Sequence, residues 1–243
     1  MSPDPAPDPD PYAELYAAFA GVPRPGAVEG CPCCVEPDEG RRLLSRPPRS
    51  LGADDLSRFA AKALNTWGGP EDVRYFAPRL LELAAADAFV WPDTEIVFGK
   101  LARAGWRDWP EADAVAAFLA GFWTRTLARF PARPGIGAAL RALAATGIDL
   151  APYLREWGNA TARADEPAVR HLHEFATNEL HRPNGRPRLG GGFAEDGAAV
   201  VVGWLTGGPA AAAVRTAFER TDDEEPLGLL AETDGLLNPG HLM

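Results

Sequence analysis

Between Leu56 and Ala84 one apolar template occurs twice. Leu56, Phe59, Ala60, Ala63, Leu64 and Trp67 fall three and four residues apart, and Val73, Phe76, Ala77, Leu80, Leu81 and Ala84 repeat that spacing. Side chains so spaced share one face of a helix with 3.6 residues per turn, so each segment predicts an amphipathic helix that must bury its stripe on a neighbour. The intervening "WGGPED" offers Gly to end one helix and Pro to start the next, which predicts a tight antiparallel hairpin. Val115, Phe118, Leu119, Phe122 and Trp123 give the template a third time, and Ile136, Ala139, Leu140, Leu143 and Ala144 a fourth. Further helices are predicted at "TEIVFGKLARAG", "LAPYLREW" and "EPAVRHLHEFATNEL", separated by short Gly/Pro breaks such as "FPARPG" and "ATGID".

Repeated amphipathic helices on short connections predict an all-α fold: an irregular stack of antiparallel helices, either a helical-repeat array or a multi-helix bundle. "DVRYFAPRLLELAA", preceded by a helix and a "GGP" turn, resembles a unit of the HEAT-type helical repeats over roughly residues 53–180. No signature recurs at their fixed period of about 40 residues. The resemblance implies a scaffold or interaction surface.

Residues 1–11 alternate Pro with Asp and read as a solvated tail. A single helical domain is expected over 12–220. It begins with a short helix carrying Tyr12, Leu15, Tyr16 and Phe19 and includes a cysteine-containing loop at 30–50. Residues 198–206 carry three successive valines that suit a strand. Ala198, Val201, Val202 and Leu205 also share a helical face, and helix is the preferred reading because a lone strand would have no partner. Residues 221–243 open with "TDDEEP" and read as an acidic, loosely packed C-terminal tail.

The 46% of apolar residues can build a sizeable core. A net charge of −10 argues against a generic nucleic-acid binder. The first residues lack the cationic start and apolar run of a secretory signal or membrane anchor, so no membrane partner is expected and the expected location is the cytoplasm. Only Lys62 and Lys100 among the 24 basic residues are lysines. That imbalance fits a codon bias and by itself carries no functional weight.

All three cysteines, Cys31, Cys33 and Cys34, lie in "EGCPCCVEPDEGRR". In a reducing compartment such a cluster points to a metal or reactive site before a disulfide framework. Thiolates are soft ligands suited to zinc or copper(I). The C-x-C spacing is tighter than the usual C-x-x-C, and adjacent Cys33 and Cys34 would strain the backbone if both bound one ion. Two cysteines with distant ligands are therefore favoured over all three, His171 of "HLHE" being the candidate partner and zinc the candidate ion. Against this stands a structural turn with buried thiols, which the spacing favours slightly. Carboxylates lie closer in sequence than the arginines at 41, 42, 46 and 49, so the local field does not favour a thiolate.

Two other groups are candidates. Trp106, Arg107 and Trp109 in "GWRDWPEAD" could present a partner-binding edge, although tryptophans clamping helix ends into a core would look the same. Arg182, Arg186 and Arg188 precede three glycines and could cradle an anion, although a plain loop fits as well and no phosphate-loop motif is present. No nucleophile elbow or assembled catalytic set occurs. The leading expectation is a non-enzymatic protein-binding scaffold or adaptor; the alternative is a metal-binding or thiol-dependent protein using the cysteine loop.

Overall fold

A computed structural model of the chain describes residues 10–36 and 38–238. It is 65% helix and 3% strand, and its helices pack on one another as an all-α stack. The Pro/Asp tail lies almost wholly outside the described residues, as does His241.

The helices are α1 Ala13–Ala18, α2 Glu39–Leu44, α3 Ala53–Lys62, α4 Pro70–Ala85, α5 Thr94–Arg103, α6 Ala112–Leu127, α7 Ile136–Ala145, α8 Ala151–Ala162 and α9 Glu166–Glu179. Two short strands follow, β1 Leu180–His181 and β2 Arg188–Leu189, then α10 Glu195–Thr206, α11 Pro209–Phe218 and α12 Glu224–Leu237. The sequence stripes are the core: all six template positions of α4, all five of α6 and four of the five of α7 are buried, only Ala144 being partly exposed. α5 packs on α4 and α7, α8 on α9 and α11, and α12 on α9 and α11. Local signals fix the helix starts. Asp72 at the third position of α4 accepts the N–H of Gly69 at 2.8 Å, and Asp55 does the same for Gly52 before α3. Aromatic side chains knit the layers, as where Trp157 meets Trp123, Phe175 and Trp204 with centroids 5.1–5.8 Å apart.

Three expectations change. The first template predicts helix through Trp67, but α3 stops at Lys62 and Leu64 takes a left-handed φ of 62°. Ala63 and Trp67 stay buried nonetheless, because the chain turns there to form backbone bridges instead of another helical turn. Second, residues 221–238 are not a loose tail. Leu230, Thr233 and Leu237 of α12 are buried, and Arg170 of α9 pairs with Glu225 at 2.5 Å. The acidic opening misled because it supplies the first turn of this helix, where Glu224 and Glu225 suit the helix dipole. Third, the loop after Leu180 contains a two-residue antiparallel pairing, Leu180 with Leu189 and His181 with Arg188.

The 198–206 segment is helical. Among the described residues one run, Glu195–Phe218, is long and apolar enough to cross a membrane, with a mean hydropathy of 1.5. It divides into α10 and α11 at Gly207–Gly208–Pro209, where Gly208 holds a φ of 108° that a side chain would disfavour.

Candidate metal centre

The cysteine segment is built onto the end of α3. Gly30 and Trp67 form an antiparallel bridge: Gly68 N–H donates to Glu29 O and Cys31 N–H to Thr66 O, both at 2.7 Å. The chain then makes one helical turn, in which Cys34 N–H and Val35 N–H both donate to Cys31 O, at 2.9 and 3.0 Å. A turn of this kind places residues three apart on one side, so Cys31 and Cys34 come to the same side with Cys33 between them. Val28 and Val35 are buried beneath it. A Cβ on Gly30 would lie 2.7 Å from that of Val35, so only glycine lets the strand and the turn close on each other.

Cations from α3 complete the support. Lys62 Nζ donates to Cys34 O at 2.5 Å, and Arg58 Nη2 reaches the same oxygen at 3.4 Å. Arg58 also pairs with Glu39, whose other carboxylate oxygen accepts Glu36 N–H at 2.8 Å. Lys100, 3% exposed, crosses from α5 to donate to Ala61 O and Ala63 O at 2.8 and 2.9 Å. Both lysines of this arginine-rich chain therefore donate to main-chain carbonyls around one junction. At Cys34 O the ammonium of Lys62 shares its acceptor with the guanidinium of Arg58.

The three sulfur atoms lie within 4.8 Å of one another. Cys31 Sγ and Cys33 Sγ are 2.8 Å apart, and Cys33 Sγ and Cys34 Sγ 3.4 Å. Cys33 is exposed and the other two partly so. Hydrogen bonds from the Cys33 thiol and main-chain N–H hold the Cys31 pKa below the usual thiol value, whereas bonding to Cys31 and Cys34 and their developing charge push Cys33 up to about 11. Hydrogen bonding within the cluster, and no arginine or carboxylate, sets the direction of both shifts. A cleft of about 460 Å³ opens beside the turn, lined by Arg24, Val28, Pro32, Val35, Arg41 and Leu44.

All three sulfurs come together on this turn, where the spacing favoured two cysteines with distant ligands. His171 does not join them: among the described residues no imidazole or carboxylate belongs to the sulfur cluster. It is buried in α9, 5.1 Å edge-on to Phe130, with Nε2 at 3.1 Å from Thr126 O and 2.8 Å from Arg129 O. There it satisfies carbonyls at the end of α6.

The other candidates are tied down within the fold. Trp106 and Trp109 are buried, their indole N–H groups donating to Thr146 O at 3.1 Å and Ala104 O at 3.3 Å. Arg107 stacks 4.9 Å over Trp106 and donates to Gly147 O at 2.6 Å, so these two clamp the end of α7 to the loop after α5, while Trp109 closes that loop on itself. Arg182 donates to Leu236 O and Leu237 O, at 2.9 and 3.0 Å, at the end of α12. Arg186 and Arg188 are exposed on the hairpin, so the three arginines do not form one cradle.

Fold and site together define an all-α protein carrying a three-thiol cluster that could hold a metal ion. The chain matches no protein-family model, no curated protein and no solved structure.

Proposed function

We propose that this protein binds a soft metal ion through Cys31, Cys33 and Cys34. The observation that carries this reading is the approach of all three sulfurs to within 4.8 Å. Thiolates bound at about 2.3 Å to one tetrahedral ion stand about 3.8 Å apart, so binding asks the side chains to move by roughly an ångström. The main-chain bonds that shape the turn need not change. Each ligand gives up its proton on binding, so affinity rises with pH until the thiols are ionised. The test is metal content by mass spectrometry on protein purified under reducing conditions, with Cys31→Ser and Cys34→Ser beside the native chain. One equivalent of soft metal in the native chain, retained less tightly by both variants, is the expected result. Metal-free native protein that takes up neither zinc nor copper(I) on addition would overturn the proposal.

A second reading is the partner-binding helical stack that the HEAT resemblance implies. With Trp106 and Trp109 buried, it rests on other residues: Val90 is fully exposed, Trp91 is 52% exposed, and Ile96 nearby on α5 is 40% exposed. Adjacent exposed apolar side chains of this size suit a protein interface. A stoichiometric partner from the native host, lost with Trp91→Ala, would support it. Identical recovery with the native and variant chains would count against this surface.

A further inference from the structure

Resting on the metal reading above, we propose that the ion is copper(I), carried by three thiolates as exchangeable cargo and not held as a structural zinc. Coordination number is the first ground. Structural zinc takes four protein ligands, whereas thiolate sites with few donors suit copper(I). The described residues bring three sulfurs together and no fourth cysteine, histidine or carboxylate.

The second ground is that the turn has its shape from bonds that involve no sulfur. Cys31 N–H to Thr66 O, Gly68 N–H to Glu29 O and Lys62 Nζ to Cys34 O fix both ends of the turn. Val28 and Val35 anchor it in the core. A structural zinc site, by contrast, supplies folding energy that the apo chain lacks. Here the ion has little folding work to do.

Accessibility is the third ground. Cys33 is exposed and its two neighbours are partly so, leaving an incoming sulfur donor a path for stepwise ligand exchange. Charge is consistent with this chemistry. Copper(I) displaces three S–H protons to solvent, forming a tris-thiolate complex of charge −2 without electron transfer. Lys62 donates to the carbonyl of Cys34, a residue that supplies one of the sulfurs, and offsets part of that charge, whereas Arg58 beside it is already paired with Glu39.

The test uses the full chain, reduced and free of oxygen, titrated with a coloured copper(I) chelate and in parallel with zinc. X-ray absorption on the loaded protein counts the ligands, and thermal melts compare the apo and loaded forms. The expected result is one copper(I) per chain bound by three sulfurs, with the apo protein folded and melting within a few degrees of the loaded one. Cys34→Ser should drop the count to two sulfurs and weaken binding about tenfold or more. Cys34→Ala, with circular dichroism on both variants, separates ligand loss from misfolding. Copper held by two sulfurs in native and variant chains alike would overturn the inference. So would a four-coordinate zinc whose removal unfolds the protein, although the metal reading would then survive. Failure to bind either ion would remove both.

Discussion

Lys100 shows how one residue can tie a helix end to its neighbour. Its ammonium is buried against the carbonyls of Ala61 and Ala63, and burial lowers its pKa from the usual 10.5 to about 8. Because the unfolded chain binds the proton more tightly, the cost of burying this charge is fully present below pH 8 and is relieved as pH rises towards 10.5. Relative to Lys100→Met, the native chain should therefore gain on the order of 3 kcal/mol between those limits, read from urea melts across the window. A pH-independent difference would contradict this. His171 behaves in the same sense at lower pH. Burial holds its pKa below the usual 6.5, so Nε2–H donates to Thr126 O and Arg129 O from a neutral ring. The unfolded chain takes up its proton near pH 6.5 and the folded chain resists, so stability falls as pH drops below that value. His171→Gln removes this dependence while retaining an N–H donor. Melts at neutral and mildly acidic pH should show a shallower loss in the variant than in the native chain.

At the scale of elements, the thiol turn depends on the close approach of Gly30 and Val35. Gly30→Ala forces a methyl into Val35 and should cost about 1–3 kcal/mol, while weakening metal binding by displacing the turn. Thermal melts and copper(I) titration on the same protein check both effects; an unchanged melting temperature would show that the turn yields without strain. Helix faces were legible in the sequence because three-and-four spacing is local, and the residues it selected in α4 and α6 are buried as predicted. The end of α3 was not legible. Its apolar spacing continues to Trp67, but the backbone after Lys62 is claimed by partners at Glu29, Gly30 and Lys100, which local pattern does not reveal. The tryptophans at 106 and 109 were open to two readings for a related reason: composition gives their size and polarity, and only packing shows that their N–H groups are spent on Thr146 O and Ala104 O.

For the whole molecule, closure of the stack depends on its last helix. α12 covers α9 and α11, with Leu230 and Leu237 in the core and Glu225 on Arg170. Truncation after Asp222 should uncover those apolar faces, lower the melting temperature by several degrees and promote self-association, measured by calorimetry and light scattering. A truncated chain that melts like the native one would return this segment to the status of a tail. By itself the sequence determined that the chain is all-α and which helix faces are buried, because both follow from periodicities within a few turns of each helix. It also placed three soft ligands in one short segment. Tertiary structure alone decided that those sulfurs converge and that His171 serves α6 instead. It also decided that the two lysines guard one helix junction. The sulfurs converge through a local turn whose ends are held by Thr66 and Lys62, and the roles of His171 and the lysines depend on residues tens of positions apart, so this geometry exists only once the helices have packed.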